Sequence, residues 1–406
     1  MGSFLTWLAE DPGTRWLLVF WIGASWVLYV YGGYPALLWL LSTLFGRRNP
    51  PPPPSESALP TLSMVVAAFN EVNVLDEKVR NCRCLDYPQE RIDFLIGLDG
   101  STDGSAAVAC QAAAGDTRFR IFDFPVRRGK VEVLNRIVPE TRGEIVLFSD
   151  ANTLYEPGAV RLMVAEFSDP RVGAVCGRLI LESPGATSCQ EEGLYWRYET
   201  LLKLWESRLG SMVSVNGQIF AVRRGLLQPL SPDTLNEDQL RGEQILARGY
   251  DIRFEPRAVA REPVSTLAGE VGRHVRIGAG NFQSLGRVWP FRLLHRPFIW
   301  LAYLSHKVGR WTTPVALLLM LLGSATAAWR DNPLGRYLLI IQTAAYTAAA
   351  LGHLLPVLRR FRLLRLWHYF VLTNIAQVRG LIQLLLGRAS VTWTRAIDIE
   401  AADKRR

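Results

Sequence analysis

The sequence predicts an α/β domain with a mostly parallel sheet, flanked by transmembrane and interfacial helices. Three observations predict it. Strand-like runs at 62–68, 94–98, 119–123, 144–149 and 172–181 alternate with helical stretches; such alternation puts helices on the faces of a parallel sheet. Residues 144–152, EIVLFSDAN, read as a doubly buried strand that delivers Asp150 and Asn152 at its carboxyl end, where the ligand crevice of an open α/β sheet lies. Hydrophobic residues make up 49% of the 406, and the excess gathers at 16–45 and beyond 298, outside the alternating region.

The order of segments follows from these shifts. Residues 1–48 form an amino-terminal anchor, because 16–45 is long enough for the roughly twenty residues a bilayer needs. No basic leader or small-residue cleavage site marks it for removal, and Gly32, Gly33 and Pro35 predict a kink within it. A stiff proline-rich linker at 49–60 leads into a soluble domain at 61–290. Residues 291–311 read as an amphipathic interfacial helix. Residues 312–387 read as carboxyl-terminal membrane helices: two spans at 312–329 and 337–358, then an interfacial or re-entrant stretch at 363–386 interrupted by Asn374, Gln377 and Arg379. A basic tail at 388–406 closes the chain.

The 46 Lys and Arg against 37 Asp and Glu leave a net charge of +9. The cations flank apolar segments, as in Arg47-Arg48 and Arg359-Arg360-Phe361-Arg362. That is the positive-inside pattern, with lipid headgroups as partner and the soluble domain on the cytosolic side of the inner membrane. Nucleic acid is excluded as a partner, since basic and aromatic residues do not interleave on one face of the soluble part. The five cysteines lack zinc-ligand spacing and read as reduced thiols.

The chemistry-bearing residues recur at strand ends. Phe69-Asn70-Glu71 follows the first strand, and Asp99-Gly100-Ser101-Thr102-Asp103 the second. Turn chemistry and helix capping are the competing role for Asp103. Arg127-Arg128-Gly129-Lys130 offers cations for phosphate. Asn236-Glu237-Asp238 opens a helix at 239–248, with Asn236 its expected cap; an acidic pair there either complements the helix dipole or serves as a base. Arg273 and Arg276, three apart, share a helical face, where they either grip a pyrophosphate or meet lipid headgroups.

In order and spacing, A-F-N-E, D-G-S-T-D, S-D-A-N and N-E-D resemble the family 2 inverting glycosyltransferases. The likeness is to the membrane-integrated branch of cellulose, chitin, hyaluronan and poly-N-acetylglucosamine synthases, over about residues 60 to 290 and the flanking helices. The resemblance implies a glycosyltransferase-A-type, Rossmann-like fold and transfer from a UDP-sugar to a saccharide acceptor. Phe69 and Glu71 would line the base pocket, Asp99 would contact the uridine, and Lys130, Arg273 and Arg276 would meet the diphosphate. Asp150, with Asn152 where the family has its third triplet position, would hold Mg²⁺ or Mn²⁺. Asp238, beside Glu237, would be the general base. The resemblance implies exopolysaccharide synthesis; Ile277 stands where the polymerising members carry a channel-mouth tryptophan, which leaves sugar transfer expected and processive synthesis open. A lipid acceptor is the alternative within the class, and a catalytically silent nucleotide-binding regulator the alternative outside it. A closed translocation channel would need more helices than one chain offers, which a homo-oligomer would supply.

Overall fold

The computed structural model describes residues 12–47, 51–52, 54–182, 189–263, 267–288 and 294–391. Four strands, β1 (Leu62–Ala68), β2 (Ile92–Asp99), β3 (Phe119–Phe124) and β4 (Ile145–Asp150), pair in parallel in the order β3-β2-β1-β4. Beyond β4 the sheet continues through β5 (Leu154–Tyr155), β6 (Val172–Glu182), β7 (Phe220–Arg223) and β8 (Asp251–Pro263), in the order β7-β6-β8-β5. β7 is antiparallel to both β4 and β6, so β6 and its parallel neighbour β8 run in the same direction as β4. β5 folds back antiparallel onto β8.

β5 and β8 lie outside the sequence expectation. A two-residue strand has no periodicity to read, and Arg253, Glu255, Pro256 and Arg257 break the apolar pattern of β8.

The described α-helices longer than one turn are α1 (Pro12–Leu28), α2 (Tyr34–Phe45), α3 (Leu75–Arg83), α4 (Ser105–Ala113), α5 (Lys130–Ile137), α6 (Ala159–Ala165), α7 (Cys189–Leu209), α8 (Glu237–Ala247), α9 (Leu267–Arg287), α10 (Pro297–Ala302), α11 (Thr313–Trp329), α12 (Pro333–Leu354) and α13 (Arg362–Leu385). β1 is buried on both faces. Met64 and Val66 join the core under α3 and α6, while Val65 and Ala67 join the core under α5. Burying each of the larger aliphatic side chains contributes about 1.5–3 kcal/mol, which fixes the register of the central strands.

Between α1 and α2 the backbone makes a π turn, Tyr29–Gly33, where the glycines and proline predict a kink. Gly13–Phe45 and Pro333–Leu354 are long and apolar enough to cross a membrane; Pro297–Trp311 with Thr313–Trp329, bent by 58°, makes a third if counted as one span. Residues 291–293 of the predicted interfacial helix lie outside the described residues. The rest docks on the sheet domain, with Ile299, Ala302, Tyr303 and Trp311 buried in the same core as Phe148 and Phe220.

α13 runs unbroken through Asn374, Gln377 and Arg379. It lies so close to α9 that a Cβ on Gly380 would sit 2.4 Å from the Val275 carbonyl oxygen. That contact braces the helix that carries Arg273 and Arg276. Cys82, Cys84, Cys110 and Cys176 are free thiols.

Candidate active site

In the parallel half of the sheet Ala67 is in register with Gly97 and with Asp150. The carboxyl ends of β1, β2 and β4 therefore share one edge, and the loops leaving them meet. Asn70, with φ of 52°, accepts from the Thr102 N–H at 2.9 Å, and its own N–H donates to Ser101 Oγ at 3.1 Å. The Glu71 N–H donates to Ser105 Oγ at 2.8 Å. Asp103 accepts from the N–H groups of Val72 and Ser105, at 3.1 and 3.0 Å, so it performs the turn chemistry weighed above. These bonds tie the loop of Phe69 and Glu71 to that of Asp99.

Asp99 accepts from the backbone N–H groups of Arg128 and Gly129, at 2.7 and 2.8 Å. It thereby fixes the basic loop, in which Arg127 stacks 3.6 Å above the Phe69 ring. Gly129, with φ of 97°, makes the sharp turn that starts α5 at Lys130.

Lys130 brings the two halves of the site together. Its Nζ lies 2.8 Å from Asp150 Oδ1 and 2.7 Å from Glu237 Oε1. Burial works against the Lys130 charge, but Asp150 and then Glu237 outweigh it and hold the ammonium charged above its ordinary range. Burial also pushes Glu237 up, yet Lys130, with a smaller contribution from Arg276, holds it below the usual carboxylate range. Burial and then the Glu237 charge push Asp238 the other way, above that range. Two adjacent carboxyls are thus split, and the one with raised affinity for a proton suits a base. Asp238 accepts from the N–H of Gly217 at 2.8 Å and of Gln239 at 2.8 Å.

Asn236 does not cap α8. Its amide donates to the Ile277 carbonyl at 3.0 Å, because α9 packs so closely on the helix start that a Cβ on Gly280 would sit 2.4 Å from the Asn236 side chain. Arg276 donates to the Leu235 carbonyl at 3.0 Å. Arg273 adds its charge at Glu262, lowering that group's affinity for a proton.

Glu262 was missed from the sequence. The β5–β8 pairing sets Leu154 opposite Arg261 and brings Asn152 against Glu262, whose Oε1 accepts from the Asn152 amide at 3.0 Å. Glu262 Oε2 is buried with no hydrogen-bond partner. Burial and then the Asp150 charge push its carboxyl up to about 7. Lys78 stiffens this end of β4 from beneath, donating to Ser149 Oγ at 2.7 Å and to the Thr153 carbonyl at 2.5 Å.

Among the described residues no three His, Cys, Asp or Glu side chains are placed to hold a metal. The set here is two carboxylates and an amide, an all-oxygen donor set when Asn152 turns its carbonyl inward. That chemistry suits Mg²⁺ or Mn²⁺ completed by oxygens of a ligand. An orphaned carboxylate oxygen on Glu262, and a cation already drawn onto Asp150, fit such an ion.

Glu243, one turn past Gln239, also escaped the sequence reading. It is almost fully buried; Oε1 accepts from Gln239 Nε2 at 2.8 Å, while Oε2 has no partner. Burial pushes its carboxyl from 4.5 to about 7. Between those values the folded chain keeps a proton that the unfolded chain has released, so stability falls as pH rises through that window. Above it the cost is on the order of 3 kcal/mol, from the two values and about 1.4 kcal/mol per unit. Glu243→Gln is therefore expected to raise Tm more at pH 8 than at pH 5; equal gains at both would contradict this.

Similarity to known proteins is found at the level of family, relatives and fold. Residues 63–228 match the model of glycosyl transferase family 2. Poly-beta-1,6-N-acetyl-D-glucosamine synthase of Staphylococcus epidermidis is 25% identical over 236 residues, 56% of this chain and 57% of the relative. The Staphylococcus aureus protein of that name is 24% identical over 276 residues, 64% of this chain and 66% of the relative. The chain thus matches a little over half the length of the first of these curated relatives. A mannosyltransferase from Pyrobaculum calidifontis, solved with GDP-Man and Mn²⁺, superposes with a TM-score of 0.70 at 20% identity, over 90% of this chain and 99% of that one. The shared architecture is the glycosyltransferase-A fold.

Proposed function

We propose that the chain, whose residues 63–228 match glycosyl transferase family 2, is a glycosyltransferase that transfers a sugar, with inversion, from a UDP-sugar to a saccharide acceptor at the cytoplasmic face of the inner membrane. The observation that carries this is the convergence of Lys130, Asp150 and Glu237, from three separate elements, through contacts of 2.8 and 2.7 Å, with Asp238 beside Glu237 at the start of α8.

Asp238 takes the proton of the acceptor hydroxyl. The freed oxygen attacks the anomeric carbon as the bond to the β-phosphate oxygen breaks, and UDP leaves with that electron pair. Attack from the face opposite the leaving group inverts the centre. A divalent cation held by Asp150, Asn152 and Glu262 would neutralise charge developing on the diphosphate. Lys130, Arg273 and Arg276 add fixed positive charge on the same side. Phe69 and Arg127 flank the base, and Asp99 keeps the basic loop in reach of the phosphates. Glu71 lines the same pocket.

The names of the relatives support exopolysaccharide as the product class, and the metal in the Pyrobaculum structure supports divalent-cation dependence. Ile277 favours one second reading, transfer of a single sugar to a membrane lipid, because no aromatic platform for a growing polymer stands there. The test is turnover of a panel of UDP-sugars by the detergent-purified chain with Mg²⁺ or Mn²⁺, sizing the labelled product. A large, lipid-free product supports polysaccharide synthesis, and a small, lipid-extractable one supports the second reading. No turnover with any UDP-sugar, membrane lipid included, removes the donor assignment.

A further inference from the structure

We propose that Lys203 is a positioning residue for Asp238, acting through the Asn216–Gly217 turn, on a helix whose buried charged stripe is clamped to the membrane-proximal segments. The proposal rests on the reading of Asp238 as the base.

α7 carries Glu199, Lys203 and Glu206 at spacings of four and three residues, which places them on one helical face. A polar stripe of that kind ordinarily faces solvent. Here all three side chains are buried. Burying charge is costly unless each group is paired, and these are.

Glu206 Oε1 accepts from the Tyr34 hydroxyl of α2 at 2.8 Å and lies 2.7 Å from His306 Nδ1; its Oε2 accepts from the Val213 N–H at 3.1 Å. Glu199 accepts from Ser214 Oγ at 2.8 Å and from Arg310 Nη1 at 2.7 Å. The two carboxylates thus lock α7 to α2, to the segment that follows α10, and to the chain at 213–214.

Lys203 sits between them and turns the other way. Its Nζ, flanked by the Trp196 ring, donates to Asn216 Oδ1 at 2.5 Å. The next residue, Gly217, donates its N–H to Asp238 Oδ2 at 2.8 Å. A Cβ on Gly217 would stand 3.0 Å from the Cβ of Asp238, so the turn lies directly against the base. An ammonium spent on a neutral amide oxygen makes a charge-assisted, short bond that holds the turn, and the turn aims one of the two carboxylate oxygens. The stripe's remaining bonds fix where Lys203 starts from. Reorienting a reacting group by about 1 Å costs on the order of 100-fold in rate.

The experiment uses the full chain in detergent, its preferred UDP-sugar from the panel above, and UDP binding by calorimetry. Lys203→Met is expected to lower kcat by about 100-fold, with the donor KM and UDP affinity unchanged, and Lys203→Arg to restore most of the loss. Asn216→Leu should show the same loss, and Lys203→Met with Asn216→Leu no more than either alone, since both break one relay. Unchanged kcat in Lys203→Met, multiplying losses in the pair, or UDP affinity falling in parallel would each overturn the proposal. If Lys203→Met does not fold, Asn216→Asp and Asn216→Leu decide: the aspartate keeps an acceptor for the ammonium and should keep kcat, and equal losses in both overturn it. An active Asp238→Asn removes the underlying reading instead, whereas inactive Asp238→Asn beside fully active Lys203→Met removes only the relay.

Discussion

Asp238→Asn lowers kcat by about 10²–10⁴-fold, the usual contribution of a positioned general base, and leaves UDP binding in place. The reason lies in where each carboxyl atom is held. Asp238 receives N–H groups from Gly217 and Gln239 and is not ion-paired with Lys130, whereas Glu237 is bonded to Lys130 at 2.7 Å. Removing the Asp238 charge therefore leaves the cationic side of the site intact. An amide would set an NH₂ against one of those backbone donors, so a modest loss of thermal stability accompanies the variant.

The same protein gives a second reading of the base. Burial and the Glu237 charge raise its affinity for a proton. The acid limb of kcat/KM should accordingly lie above the ordinary aspartate range, with activity lost as pH falls through it. A pH profile flat down to the ordinary range, or a fully active asparagine variant, would take Asp238 out of the role.

The second large effect falls on the cation. Asp150→Asn is expected to weaken Mn²⁺ binding in the presence of UDP by more than about 100-fold, and Glu262→Gln by about 10–100-fold, the range seen when groups that support a metal site are lost. Mn²⁺ titration followed by electron paramagnetic resonance reads this without any turnover. Lys130 pairs with Asp150 at 2.8 Å, so an incoming cation would compete with an ammonium for that oxygen. Glu262 would contribute the carboxylate that Asn152 does not, since its second oxygen is buried and unpartnered. Unaltered Mn²⁺ affinity in Glu262→Gln would return the site to Asp150 and Asn152 alone.

Most of the parallel sheet was readable in advance. The runs that became β1 to β4 are short, apolar and bounded by turn residues, and each ends in polar side chains that a parallel arrangement must gather on one edge. Asp99, Lys130, Asp150 and Asp238 follow from that logic, because each lies at an element boundary that local sequence marks. The basic loop before α5 and the acidic pair opening α8 carry their own turn and helix-start signals.

The residues that were not readable share one property: their partners are chosen by packing at long range. Glu262 becomes a neighbour of Asn152, 110 residues earlier, only because β5 folds back onto β8, and neither strand has a local signature. Asn236 looks like a helix cap in the string but is recruited by a carbonyl of α9, 41 residues on. Nothing in the string singles out Lys203, whose helix face is buried only because α2 and the segment after α10 pack on it. Sequence by itself determined the α/β alternation, the apolar helices and the acidic strand ends, since hydrophobic period and turn chemistry are local. The tertiary structure alone decided which carboxyl is pushed up, which oxygen is orphaned and which lysine is buried, because desolvation and charge pairing depend on what lies across the fold.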